Sequence, residues 1–314
     1  MIEIYEEKKE RYRNTKDYKI SLQLIKGFID EVLQGDIEKL KDFDFGELEK
    51  SAYKEKYCGN IPDPDMYVIT QAIYIVLWGH IWDLNFSNLG SWGKSSKFPY
   101  RGDTMNSYNS YFGKFAYRAK FFDADKDEEL WKRIHKFHKS YHKVGNFIVI
   151  PNRATDSQIG GINGARGGIE SYRNGMRDYF DWFLITIYNY QQRKRGTVEN
   201  IINDFDIAFN DISRNKFEGY LDLNHEYLDV DIAEWQELFY LDDYFKEGKP
   251  QPLFKTPAKN RRKTTAAIED RKGNNYYSNE DYLLLLDDYI LKSELVIEHR
   301  CKCIVNELLK EIKM

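Results

Sequence analysis

A long apolar run at residues 67–82 constrains the fold most strongly, because a chain keeps so much apolar surface from water only by burying it. The run contains Gln71 and His80 and ends at Asp83, so it is shorter than the roughly 20 apolar residues that span a bilayer. Asp63-Pro-Asp65, just before it, is typical of a helix start. We therefore expect a core helix, in a chain of 314 residues that is long enough to bury a full core.

Helical spacing recurs along the chain and is interrupted by short apolar stretches. Residues 17–33 and 127–144 carry apolar side chains three or four apart, which predicts amphipathic helices. The apolar positions are Ile20, Leu24, Phe28 and Val32 in the first segment and Leu130, Ile134, Phe137, Tyr141 and Val144 in the second. Residues 147–150 have the pattern of a buried strand that Pro151 ends. Together these patterns predict a helix-dominated α+β fold, a mixed body with short strands.

Residues 246–277 form the clearest break in the sequence. Three prolines precede two basic clusters there, at residues 259–263 and 271–275, which is typical of a linker or a long exposed loop. We therefore expect a main α+β body at 1–245, a basic, proline-containing linker or loop, and a long C-terminal helix at 278–314.

The expected C-terminal helix, running to about residue 310, carries half of a coiled-coil pattern. Leu283, Ile290, Ile297 and Ile304 recur every seven residues, whereas the partner positions include Asp287, Glu294 and Cys301. A coiled coil needs apolar residues at both positions of the repeat. Two interpretations therefore stay open: a homo-oligomer formed through this helix, or a helix that packs on the core of its own chain.

Composition bounds the function without naming it. Aromatic residues make up 16% of the chain, an excess that suits a protein burying large contact surfaces but also arises from AT-rich coding DNA. A net charge of −4 gives no overall reason to bind nucleic acid. Three cysteines are too few for a disulfide framework, and the charged first residues are unlike a signal peptide, so we expect a cytoplasmic protein.

Residues 98–112 mix aromatic side chains with charges and amides. Polar groups among aromatic rings need partners once they leave water, so this segment is either a buried polar network or a ligand-facing loop. Its candidate site residues are Arg101, Asp103 and Asn106. The Tyr-Arg-Gly at 100–102 is similar to a strand of one class of ADP-ribosyltransferases, but the Ser-Thr-Ser strand and the later Glu-x-Glu loop of that class do not follow it.

Three of the six histidines, His135, His138 and His142, are spaced three and four apart. This spacing predicts that they share one face of the second amphipathic helix, where they could hold a metal ion or a phosphate. Lysines lie between them at several positions and repel a divalent cation, so we expect no bound metal.

Residues 152–175 form a long glycine-rich loop, and loops of this length in compact domains are often functional. Candidate ligand-binding residues in and after it are Asn163, Arg166, Asp178 and Asp181. Glycines let backbone amides approach a phosphate and arginine binds it, although no known nucleotide-binding loop is matched. An unpaired buried charge is costly, so Asp181, inside an aromatic run, needs a partner. The available arginines are Arg101, Arg166 and Arg177, and we expect these polar segments to converge.

Parts of the sequence resemble known proteins. The residues that carry the resemblance are Tyr-Arg-Gly-Asp-Thr-Met-Asn-Ser-Tyr-Asn at 100–109, Tyr-His-Lys-Val-Gly-Asn-Phe at 141–147, Arg-Gly at 166–167 and Asp-Tyr-Phe-Asp at 178–181. This pattern resembles a family of uncharacterised bacterial and phage proteins and implies no activity. The size, the aromatic richness and the incomplete catalytic set also resemble phage-encoded inhibitors of bacterial defence systems, of which the Gabija anti-defence protein is an example.

Two functions from different classes stay open, and we favour the first. It is a non-enzymatic, phage-encoded inhibitor that assembles on a host defence complex in the cytoplasm and blocks it by protein contact. Its expected partner-binding residues are Tyr282, Tyr289, Arg261 and Arg262. The alternative is an enzyme or sensor for a nucleotide or other phosphorylated ligand, with Arg101, Asp103 and His142 as catalytic residues and Asn146 as a further ligand-binding residue. We expect a protein partner, and neither a membrane, a nucleic acid nor a cofactor.

Overall fold

The protein is built mainly from helices, in the part of the chain that the computed structural model describes: residues 2–59, 61, 63–89, 102–103, 129, 132, 136–137, 139–150, 180–194, 219–225, 228, 230–254 and 279–314. Its α-helices are α1 (Ile2–Arg13), α2 (Lys16–Glu31), α3 (Lys54–Tyr57), α4 (Val68–Trp82), α5 (Phe86–Leu89), α6 (Phe180–Lys194), α7 (Ile232–Leu238) and α8 (Asn279–Lys313). Short 3-10 helices cover Ile37–Lys41, Phe45–Lys50, Pro64–Met66, Val144–Asn146 and Asp242–Tyr244. The expected helix-dominated α+β fold with a long C-terminal helix is confirmed.

Helix α4 is the core helix that the apolar run predicts. Every residue from Ile69 to Ile81 is buried, and α4 packs against both α1 and α2. The 3-10 turn at Pro64–Met66 leads into it, and the Thr70 hydroxyl donates to the carbonyl oxygen of Pro64 at 2.7 Å. Within the described residues, none of the helices combines the length and the apolar character that crossing a membrane requires.

Helix α2 is amphipathic as expected, but its buried stripe differs from the predicted one. The Thr15 side chain caps the helix by accepting from the Tyr18 amide. The buried residues of α2 are Tyr18, Ser21, Ile25, Phe28 and Ile29, whereas Ile20 is 42% exposed. A strict spacing of four drifts by about 40° at each step around a helix of 3.6 residues per turn. The predicted stripe therefore starts on the solvent side and meets the core only at Phe28.

The chain forms two compact units. The first joins Met1–Thr104, Lys139–Asn152 and Val296–Met314, and the second joins Met105–His138 and Arg153–Leu295. Helix α8 contributes residues to both units. The expected division into a body at 1–245, a linker and a C-terminal helix stays a prediction. The first unit joins segments that are far apart in sequence; for example, Arg13 is hydrogen-bonded to Glu311. Composition alone does not reveal such contacts.

The strands form two short antiparallel pairs among the described residues. Strand β1 (Gly102–Asp103) pairs with β2 (Phe147–Ile148), which lies in the predicted strand segment at 147–150. Strands β3 (Phe245–Lys246) and β4 (Lys249–Pro250) form a hairpin, so the start of the expected linker is regular structure. The rest of that linker, residues 255–277, lies outside the described residues.

Helix α8 extends over nearly the whole segment that the sequence predicts as a C-terminal helix. Ile290, Ile297 and Ile304, three positions of the seven-residue repeat, are 0% exposed. Because the structure is that of one chain, this burial shows that the repeat packs on the core of its own chain. Of the two interpretations left open, the structure therefore supports the second for this stripe.

Candidate functional site

His142 lies beside Asp44 in the first unit. Its Nδ1 atom is 3.5 Å from the Asp44 Oδ1, and the two side chains are 28% and 26% exposed. Asp44 caps the 3-10 helix Phe45–Lys50 by accepting from the Gly46 amide at 2.8 Å, and the Phe45 amide donates to the His142 carbonyl at 3.1 Å. These contacts hold the segment of Asp44 against the segment of His142.

His142 does not lie on the helical face that we expected it to share with His135 and His138. Residues 139–140 are helical, but His142 lies in the turn that follows. The side-chain amide of Asn146 donates to the Tyr141 carbonyl at 2.8 Å, and Val144–Asn146 is a 3-10 helix. The α-helix therefore ends before the predicted Val144. His135 and His138 lie outside the described residues, so their prediction stays untested.

Asp44 is held in its charged form. Its burial acts to raise the pKa of the carboxyl, but hydrogen bonds from His142 and from the Gly46 amide outweigh burial and lower that pKa. A Cβ atom on Gly46 would lie 2.6 Å from the His142 Nδ1, so glycine leaves the room that the imidazole occupies. The pair is an imidazole beside a carboxylate, and both are partly exposed, an arrangement in which a histidine can transfer a proton.

Asn146, expected to bind a ligand, lies in the core of the first unit. It is 0% exposed, and its side chain closes the turn at Tyr141. The neighbouring Gly145 amide donates to the Cys301 Sγ at 3.2 Å. These contacts give Asn146 a structural role, and its expected part in ligand binding stays a prediction.

Arg300 is a buried charge that the sequence analysis missed. It is 0% exposed and donates to the carbonyl oxygens of Gly145 and Phe147, the second at 3.0 Å. The sequence does indicate that Arg300 is buried, because it lies three residues after Ile297 and four before Ile304, on the buried stripe of α8. Its role is to hold the segment that carries β2 against α8.

Asp181 has hydrogen-bond partners for its buried carboxylate among the described residues. It is 0% exposed, and its Oδ2 atom accepts from the backbone amides of Leu253 at 2.8 Å and Phe254 at 3.1 Å. The three expected arginine partners lie outside the described residues, so the predicted convergence of the polar segments stays untested. Asp181 serves here as the anchor of the chain that follows strand β4.

Tyr289, expected to bind a partner, is 1% exposed. Its ring lies 4.8 Å from that of Phe254 and 6.2 Å from that of Phe137, measured between centroids. It therefore stabilises the core of the second unit and offers no surface to a partner in this structure. Tyr282 belongs to α8, but its side chain lies outside the described residues.

Most of the other candidates lie outside the described residues: Arg101, Asn106, Asn163, Arg166, Asp178, Arg261 and Arg262. Of Asp103 the structure describes the backbone, which pairs with Phe147. Within the described part of the chain, no group of three or more histidine, cysteine or acidic side chains is placed to hold a metal ion.

A buried ionic network joins the two ends of the first unit. The Glu311 carboxylate, with a side chain 0% exposed, accepts from Lys9 at 2.8 Å and from the Arg13 Nη2 and Nε at 2.8 and 3.0 Å. The Tyr18 hydroxyl donates to it as well. Burial acts to raise the pKa of Glu311, but these hydrogen bonds outweigh burial and lower it to about 2. The network ties α8 to α1 and α2, and nothing in the local sequence pattern indicates it.

Comparison with known proteins assigns the chain to no family, because no family model, no curated protein and no solved structure matches it. The two resemblances noted in the sequence therefore stay predictions.

Proposed function

We propose that the protein is a non-enzymatic inhibitor that acts by contact, encoded by a phage and assembled on a complex of a bacterial defence system in the host cytoplasm. Such an inhibitor needs an apolar surface that is exposed to solvent in the free protein and is covered by the partner in the complex. It needs no catalytic residues. The residues that contact the partner should lie on rigid helices or strands, because little conformational entropy is then lost on binding.

The exposed face of α8 is the observation that carries this proposal. Leu291 and Leu295 are 43% and 65% exposed, and they lie one helical turn apart on the same face. Single exposed leucines are common, but two on successive turns are the spacing by which a helix inserts into an apolar groove. On its opposite side α8 is held by the buried Ile290 and Ile297.

The roles of the candidate site residues also support a contact mechanism. Asn146, Asp181 and Tyr289 are all buried, and the hydrogen bonds and ring contacts described above occupy them. Side chains that are buried and paired in this way stabilise the core, so in this structure they offer no exposed group to a substrate.

Variants of the exposed leucines test the proposal better than a truncation. Deletion of residues 278–314 would remove the buried stripe of α8 and the Glu311 network, so loss of binding would follow from unfolding. We suggest the variant Leu291→Ser/Leu295→Ser, with Ile20→Ser/Tyr53→Ser as a matched control because Ile20 and Tyr53 are 42% and 36% exposed elsewhere.

The measurement is the set of host proteins that co-purify in stoichiometric amounts with the tagged protein after salt washing. We expect one dominant partner with the wild type and with the control, and its loss from the leucine variant. Equal retention by the leucine variant and the control would contradict a role for α8. A wild-type preparation in which no host protein co-purifies would contradict the contact mechanism itself.

The pair formed by His142 and Asp44 favours a second candidate function, an enzyme or sensor for a nucleotide or other phosphorylated ligand. In it, a part-exposed base held beside a carboxylate would move a proton, and Arg101 would bind the anion. ATP and NAD serve as probes in thermal-shift assays. This candidate predicts that they raise the melting temperature of the wild type and not of Arg101→Ala. An equal response, or none, would contradict it.

A further inference from the structure

Helix α8 carries, beside its buried isoleucines, a second stripe of residues that faces solvent. The stripe consists of Leu291, Leu295, Glu298, Lys302 and Leu309, and we call these five residues the outer stripe. They follow one another at intervals of four, three, four and seven residues, so they share one face of this continuous helix. The first four are exposed and Leu309 is partly exposed. Such spacing is the repeat with which two helices pack side by side.

The outer stripe is complementary to itself. Glu298 and Lys302 lie two residues to either side of position 300, and Leu291 and Leu309 lie nine residues to either side of it. When two copies of a helix pack antiparallel about a two-fold axis, each residue faces the residue at the mirrored position of the other copy. With the axis at position 300, Glu298 faces Lys302 of the second copy, and Leu291 faces its Leu309.

The charges of the outer stripe select this orientation. In a parallel pair Glu298 would face Glu298 and Lys302 would face Lys302, and like charges placed opposite each other oppose association. The antiparallel pair replaces both repulsions by attractions between opposite charges. This match needs no groove of a foreign protein, because a second copy of the chain supplies every opposing group.

The leucines of the outer stripe supply the attraction. Exposed ion pairs contribute little affinity, whereas covering apolar side chains is favourable. Leu291 and Leu295 are 43% and 65% exposed in the single chain, so a second helix laid along the stripe has apolar surface to cover. The leucines therefore favour association, and the charges between them fix its direction and register.

We propose that the outer stripe binds a second copy of this chain in an antiparallel, two-fold symmetric dimer. The monomer exposes Leu291 and Leu295 to the host partner, and the dimer covers them. This inference rests on the proposed function and adds its regulation: the host partner and the second copy compete for the same leucines. The dimer dissociates as the host partner binds the monomer.

Charge reversal within the outer stripe tests the dimer in the full-length protein. In Glu298→Lys, lysines face lysines across the two-fold axis, and in Lys302→Glu, glutamates face glutamates, so each variant alone should be monomeric. The double variant Glu298→Lys/Lys302→Glu exchanges the charges and restores the match. An equimolar mixture of the two single variants should form a heterodimer, because every lysine then faces a glutamate. Lys26→Glu, at an exposed position of α2, is the charge-matched control for Lys302→Glu.

Sedimentation equilibrium measures the mass and the dissociation constant of each protein, and a circular dichroism melt establishes that each variant is folded. We expect dimers of the wild type, the control and the double variant. The single variants should self-associate at least about ten-fold more weakly than the wild type. A wild type with the mass of one chain at every concentration would overturn the inference. So would single variants that dimerise as tightly as the wild type, or a mixture of them that forms no heterodimer.

Co-purification with host proteins separates this inference from the function on which it rests. A monomeric wild type that retains a host protein would overturn the dimer and leave the proposed function standing. A dimeric wild type that retains no host protein would overturn the proposed function and leave the dimer standing. The two single variants should retain the host protein at least as well as the wild type, because no second copy competes for the leucines. Weaker retention by both variants would contradict the competition.

Discussion

Replacing Glu311 by glutamine should remove about 3 kcal/mol of stability at pH 7. Lys9, Arg13 and Tyr18 all donate to this buried carboxylate, and its pKa is about 2 instead of 4.5. A pKa difference of this size corresponds to about 3 kcal/mol of preferential stabilisation of the folded state. Glutamine keeps the shape but loses the charge, which leaves two cations with a weaker acceptor.

The sign of the pH dependence follows from the lowered pKa. In the unfolded chain the carboxyl of Glu311 takes up a proton near its ordinary pKa of 4.5, whereas in the folded protein it does so only near 2. Its contribution is therefore complete above about pH 4.5 and is lost as the pH falls toward 2. At pH 3 the difference between wild type and variant should have fallen to about half of its value at pH 7.

Urea denaturation followed by circular dichroism at pH 7 and pH 3 measures both effects. The matched control is Glu10→Gln, because Glu10 also pairs with Arg13 but its side chain is 67% exposed. An exposed pair of this kind contributes less than about 1 kcal/mol. The reasoning is refuted if Glu311→Gln costs no more than the control, or if its cost is the same at both pH values.

Two further predictions concern the first unit. His80, buried with its pKa lowered to about 4 mainly by burial, stabilises the fold while neutral, so stability should fall as the pH drops from about 6.5 to about 4. His80→Gln should flatten that part of a curve of melting temperature against pH, and an unchanged curve would contradict the argument. A Cβ atom on Gly145 would lie 2.1 Å from the Ile297 carbonyl oxygen and 2.7 Å from the Cys301 amide nitrogen, so Gly145→Ala should cost about 3 kcal/mol or more. A chemical-denaturation curve close to that of the wild type would contradict this prediction, because it would show that the backbone at Gly145 can move away from α8 at little cost.

The core helix and the C-terminal helix were predictable because each is specified by its own residues. The run at 67–82 is apolar enough to require burial on every side, and the isoleucine repeat of α8 marks its buried stripe. The stripe of α2 was harder, because a period of four and a period of 3.6 diverge within a few turns. Local patterns therefore predict that an element exists better than they predict which face it buries.

The polar contacts could not be predicted because they join distant segments. Arg13 and Glu311 are 298 residues apart, and no periodicity within one helix reports on such a pair. The need of Asp181 for a partner followed from its aromatic surroundings, whereas nothing in the sequence indicates that the backbone amides of Leu253 and Phe254, 72 and 73 residues away, donate to it. A side chain's requirement can thus be inferred locally, whereas the group that meets it depends on the tertiary fold.

Native mass spectrometry of the tagged protein, purified from a bacterial host that carries the defence system, tests the central claim most directly. A protein that acts by contact should appear in a complex with one host protein at a fixed whole-number ratio, and Leu291→Ser/Leu295→Ser should appear without it. If the wild-type spectrum contained only masses of this chain or its multiples, the protein would not act through a stable contact with a host complex.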